Sequence, residues 1–195
     1  MAFNVNELVQ RVNTTGVAHK AHFDMVVTPP NILNGYMSLA KDLVFRIETS
    51  EFPGRSVQTI DSRYWGPTKR VPHQPQYQPI NIQVRCSECL SEQAFFLQWQ
   101  DLITGYHRVK QNSLYGIGYY DDLVGTCSIR QYDPYEPGNN VVFRVELVEV
   151  YPSIVSPMHT GWELNELHRV GVTLNYRFFH PVSYTHLTLP TIYSV

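Results

Sequence analysis

The chain has 195 residues, 16% of them charged and 13% aromatic, with 13 Tyr, 13 Pro and a formal net charge of -2. One domain suits that length, and a chain of this size buries about 70% of its unfolded surface, enough for a real core. The near-neutral balance argues against binding driven by phosphate neutralisation, no stretch approaches the roughly 20 apolar residues of a membrane span, and 3 Cys without a secretory signal argue against a disulfide framework.

Asn4 as N-cap and Glu7 reaching back open a short N-terminal helix, with Val5, Leu8, Val9 and Val12 at helical spacing and a stop near Gly16. Ala21 to Thr28 reads as an apolar strand closed by Pro29 and Pro30, and Leu43 to Thr49 as a second strand alternating Phe45 and Ile47 against Arg46 and Glu48. From Arg55 to Pro79 the pattern breaks. Pro67, Pro72, Pro75 and Pro79 interrupt a ladder, while Tyr64, Trp65 and Tyr77 supply apolar area outside a core period, which predicts a projecting arm or long hairpin. Ile80, Ile82, Val84 and Cys86 then alternate with polar residues as a half-buried strand.

A helix over Ser91 to Ile103 follows, capped by Ser87 or Ser91, with Glu92 at its positive end, Gly105 at its stop, and Ala94, Phe95, Trp99, Leu102 and Ile103 as its packing stripe. Tyr106 to Leu123 reads as a surface loop. Val124 to Gln131 and Val141 to Val150 form a hairpin around a turn at Asp133 to Asn140, and a phase shift at Val148 predicts a β-bulge before Pro152 and Pro157 end the strand. Val170, Val172, Leu174, Tyr176 and Phe178 give a last alternating strand. The sum is a mainly β (α+β) domain: an antiparallel β-sandwich or partly rolled barrel with one flanking helix and the short N-terminal helix.

The charged fraction lies below the roughly 25% of soluble domains. Interface cores are depleted in charge and enriched in Tyr, Trp and Arg, so the deficit fits a subunit covered by copies of itself better than a Tyr-rich monomer.

Chemistry is thin by comparison. Cys86-Ser87-Glu88-Cys89 has the spacing of half a zinc site or a thiol-redox pair, yet Cys127 stands alone and Cys86 continues an apolar strand face, which favours a structural thiol. His19 and His22 fall in extended sequence where residues three apart point oppositely. His73, His107, His159 and His168 are scattered, Asp121-Asp122 reads as a solvated pair, and Gly116-Ile117-Gly118 lacks a nucleotide fingerprint's context. Trp65 near Arg63, Lys69 and Arg70 has the ingredients of a single-strand nucleic-acid platform, but the surrounding charge is sparse and the same residue types dominate protein interfaces.

Phe52-Pro53-Gly54-Arg55-Ser56-Val57-Gln58-Thr59, the aromatic arm, the Ser91 to Ile103 helix, Val150-Tyr151-Pro152 and Val172-Thr173-Leu174-Asn175-Tyr176-Arg177-Phe178, in this order, resemble the tail-tube proteins of contractile-tailed bacteriophages. The resemblance spans most of the chain. It implies a non-enzymatic virion protein without cofactor or metal, made in the host cytoplasm, whose copies form six-fold rings that stack into the inner tail tube. It further implies the tail sheath, baseplate and tape-measure proteins as partners, with phage DNA crossing the lumen without specific binding and no membrane partner. A tube-initiator or baseplate hub protein of the same fold is the near alternative; a small zinc or thiol-redox protein using Cys86 and Cys89 is the distant one.

On this reading Arg63, Tyr64, Trp65, Lys69, Arg70 and Tyr77 are the subunit-contact candidates, and Asn81, Gln83, Thr173 and Asn175 the lumen candidates, with the choice between a lumen-facing and a sheath-facing sheet left open. Pro181 to Thr191 resembles translated sequencing-adapter read-through, so the domain is taken as 1–181, with its arm at about 55–79, and 182–195 as a non-native tail.

Overall fold

The computed structural model describes residues 21–63, 65–105, 119–133, 141–162 and 166–182. The expected N-terminal helix, Tyr64, most of the loop after Gly105, most of the turn before Val141 and the terminal segment after Val182 lie outside the described residues.

Alternation of apolar and polar residues gives β1 (Phe23–Thr28), β2 (Ile47–Ser50), β5 (Ile80–Arg85), β6 (Gly125–Tyr132), β7 (Val141–Val155), β8 (Arg169–Asn175) and β9 (Phe178–Val182). These make a seven-stranded antiparallel sheet in the order β1-β6-β7-β8-β5-β2, with β9 also paired to β7. The path ends at β1 and β2, so among the described residues the sheet does not close into a barrel. A separate two-stranded sheet is built from β3 (Arg55–Ser62) and β4 (Lys69–Tyr77).

The long strand β7 is the pivot. Its first half pairs with β6 and β9, its second half with β8. Between them Thr126 lies opposite Val148 and Gly125 opposite Val150, leaving Glu149 unpaired at φ 56°. This is the bulge expected from the phase shift at Val148, and it turns the buried face from Val145 and Leu147 to Val150 and Pro152. The expected end at Pro152 is corrected: Pro152 is buried opposite Leu174, and the strand runs on to Val155 through a second register shift. A proline is tolerated where the ladder is already irregular.

Three further boundaries differ from expectation. Leu43 to Phe45 is a 3-10 turn closing a helical stretch that begins at Asn31 and contains α1 (Met37–Asp42), and the strand starts only at Ile47. The buried residues there are Leu33, Ala40 and Leu43, a helical spacing, whereas Phe45 is 90% exposed. Tyr120–Leu123 forms a short helix, α3, in place of the end of a loop. The last strand stops at Asn175, and β9 starts afresh at Phe178 after Arg177 donates its backbone N–H to the Val148 carbonyl.

Helix α2 (Ser91–Thr104) flanks the sheet and ends at Gly105, whose φ of 74° suits glycine. Its N-cap is Leu90, with no side-chain cap; instead the Ser87 N–H and hydroxyl both donate to Glu92, at 2.8 and 2.9 Å. The packing stripe is Glu92, Phe95, Phe96, Trp99 and Leu102, so Phe96 replaces Ala94, which is exposed, and Ile103 is half-buried. Trp99 stacks edge-on against Phe95 and donates from Nε1 to the Leu123 carbonyl at 2.9 Å. One contiguous core joins this stripe to Met25, Val27, Ile82, Val84, Ile129, Leu147, Val172 and Leu174; each such side chain contributes about 1.5–3 kcal/mol by leaving water.

Candidate assembly surfaces

The β3–β4 hairpin has no core. Each of its strand residues is exposed except Ser62 and Tyr77, which are half-buried. Ile60 pairs with Val71 and Val57 with Pro75, leaving Val57 55%, Ile60 52% and Val71 40% exposed. Trp65, in the turn beside Gly66 (φ 90°), is 97% exposed. Gln58 links Gln74 and Gln76 by side-chain hydrogen bonds of 3.1 Å. Pro72 and Pro75 sit within β4, where a two-stranded ribbon leaves every second N–H without a ladder partner, so both are accommodated beside a register shift. Arg70 faces Asp61 at 3.6 Å with both side chains mostly in water, a pair that contributes little.

An isolated hairpin of two strands is marginal in water. What anchors this one is its base: the Tyr77 ring packs on Tyr176 and Phe179, with centroids 6.1 and 5.7 Å away. Tyr77 is thus set apart from Arg63, Trp65, Lys69 and Arg70, which lie at the exposed tip and upper strands. Burial pushes the Tyr176 hydroxyl's pKa up.

A second surface is the outer face of β2, β5 and β8. Ile80, Ile82 and Val84 point into the core, so Asn81, Gln83 and Arg85 point out; Val170, Val172 and Leu174 likewise leave Arg169, Thr173 and Asn175 on the outer face. All four lumen candidates therefore share one face. Asn81 lies opposite Thr173 and accepts its hydroxyl at 2.9 Å, while its own N–H and Nδ2 donate to Glu51 at 3.0 and 3.2 Å. Asn175 is opposite Tyr151. At the far end of the face Glu48 is the extra residue of a bulge in β2. Its carboxylate accepts from Arg85 Nε at 2.7 Å and Arg169 Nε at 2.5 Å, and these bonds, that from Arg169 foremost, hold its pKa below the usual carboxylate range. The clamp is not legible in the sequence, where Glu48 falls at an ordinary polar position of an alternating strand.

The remaining outer face, on β1, β6 and β7, carries a bidentate pair of Arg130 and Asp24 at 2.8 and 2.6 Å, with the Tyr132 hydroxyl also donating to Asp24 at 2.9 Å. Cys86 is half-buried with its Sγ 3.8 Å from Met158 Sδ, and burial raises its pKa; Cys89 is exposed and Cys127 buried. Among the described residues no three His, Cys, Asp or Glu gather into a metal-binding group, and no helix is long and apolar enough to cross a membrane.

An open antiparallel sheet with a hairpin that its own chain supports only at the base defines a structural subunit with surfaces to be covered. Residues 5–181 match the phage tail tube protein family, and the chain belongs to it. Its role is accordingly that of a tube-forming structural component of the phage tail. No curated protein sequence matches it.

Among solved structures, a chain from the PVC sheath-tube complex of an extracellular contractile injection system, in the extended state, superposes with a TM-score of 0.57 at 12% identity, over 89% of this chain and 97% of that one. A chain of the PVC sheath/tube terminator gives 0.56 at 13% identity, over 86% and 97%. A chain of the tube-terminating cap of the anti-feeding prophage gives 0.56 at 12% identity, over 86% and 91%. At such identities the likeness is one of fold.

Proposed function

We propose that copies of this chain join side to side into six-fold rings, that the rings stack into the inner tail tube, and that phage DNA leaves through the channel. The observation that carries the reading is the coreless hairpin: Trp65, Val57, Ile60 and Val71 expose apolar area that a solitary domain has no reason to show. Docked on a neighbouring subunit, in the next ring, that area is covered, and the Pro-stiffened strands lose little entropy in docking. Among the described residues the sheet edges at β1 and β2 have no partner strand, and such edges are a hazard in a monomer and a joint in a ring. The β2–β5–β8 face, with Asn81, Gln83, Thr173 and Asn175, lines the channel, and the Asp24–Arg130 face turns toward the sheath. Baseplate and tape-measure proteins meet the ends and the interior of the tube.

The test separates assembly from folding. Replacing Tyr64 and Trp65 by Ser should leave the circular dichroism spectrum and melting curve near those of the parent while electron microscopy shows rings or monomers in place of tubes. Tubes of normal length from this variant would refute the hairpin's role.

A further inference from the structure

Arg85 and Arg169 lie directly opposite each other on β5 and β8, with 53% and 46% of their side chains exposed. Like charges facing across a ladder destabilise it. The conflict is resolved by Glu48, brought between them by the β2 bulge: one carboxylate oxygen accepts from Arg85 Nε and Nη2, the other from Arg169 Nε. Guanidinium forks are the groups best shaped to hold phosphate oxygens, so the same two side chains, freed, form a phosphate-binding pair. Glu51, a second acid that reaches this face, is engaged elsewhere, by Asn81.

We infer that Glu48 is a charge mask: it occupies the forks of Arg85 and Arg169 and thereby keeps a latent phosphate site closed on a face that a nucleic acid must slide past. The inference rests on the channel reading given above for its purpose, though the latent site itself is a property of the single subunit. A face that gripped phosphates in every ring would retain its cargo, whereas a face with no arginine would need no clamp. If each freed guanidinium neutralises one phosphate of duplex DNA, log K falls with log salt at a slope of about -1.8, so lowering salt from roughly 200 to 50 mM tightens binding about tenfold.

The probe is a short fluorescent DNA duplex titrated with the full chain and followed by anisotropy. Glu48→Gln should bind it with that salt dependence; the parent and Glu51→Gln, which loses the same charge without opening the clamp, should not; and E48Q/R85Q/R169Q should lose the gain. Glu48→Thr suits a strand and carries the same expectation should the glutamine variant not fold, with circular dichroism reporting the fold of each. Binding by Glu48→Gln no tighter than the parent, equal binding by Glu51→Gln, or binding retained in the triple variant would each overturn the mask. Failure of the channel reading shows separately: a bulky maleimide that labels Gln83→Cys in assembled tubes of a Cys89→Ser background would place this face outside, whatever the duplex titration reports.

Discussion

Trp99→Ala offers the sharpest test of how the core is built. Trp99 is fully buried, its ring meets Phe95 with centroids 5.9 Å apart, and its Nε1–H satisfies the Leu123 carbonyl at 2.9 Å. Truncating a buried Trp costs about 3–5 kcal/mol through lost transfer and the cavity left behind, and stranding the carbonyl adds about 1 kcal/mol or more. A loss of about 4–6 kcal/mol is a large share of the 5–15 kcal/mol typical of a whole domain and lowers the melting temperature by about 8–24 °C at this chain length. Thermal melting followed by circular dichroism reads the shift. Trp99→Phe, which keeps an aromatic ring but loses the N–H and three heavy atoms of the side chain, should lose less. A Trp99→Ala melting temperature within about 2 °C of the parent would show that the α2 stripe does not carry the core.

Gly125→Ala should also destabilise, by about 1–3 kcal/mol in chemical unfolding, because an added Cβ would overlap the Thr28 carbonyl oxygen and come 2.9 Å from the Trp99 ring; unchanged stability would mean that the β1–β6 contact is looser than described. Thiol titration should find Cys89 reactive in the native protein, Cys86 slow and Cys127 silent until unfolding, since burial raises the pKa of both Cys86 and Cys127; equal rates for all three would contradict this packing. At Glu92 burial pushes the carboxyl pKa up, but the Ser87 donors and Arg46 at 3.2 Å outweigh it and hold it below 4.5. The ionised form is thus favoured by folding, and its contribution is present above about pH 4.5 and lost as pH falls through the lower folded value. Glu92→Gln should therefore flatten the acid side of the stability profile, and an unchanged slope between about pH 5 and pH 3 would refute the assignment.

Much of this fold is legible in the chain because it is written in period two. The residues of β5 alternate strictly between core and surface, and the slip of phase at Val148 announced a bulge that the structure places at Glu149. Short-range pattern failed where two periods overlap: Leu43, Phe45 and Ile47 alternate like a strand, yet Leu43 completes a helical spacing with Leu33 and Ala40. The same limit explains the Ala94 and Phe96 exchange, since both positions satisfy a helical stripe and only the sheet beneath α2 selects Phe96. What no local pattern holds is long-range pairing. The passage of β7 from one half of the sheet to the other, and the meeting of Glu48, Arg85 and Arg169 from three strands, depend on register between segments far apart in sequence.

The central claim, that this chain is built to assemble, is tested most directly by negative-stain electron microscopy of the purified full chain at high concentration, with light scattering on the same sample. Hollow rings and stacked tubes with a continuous central channel are expected. A strictly monomeric species across the whole concentration range, with the circular dichroism of a folded β protein, would contradict it.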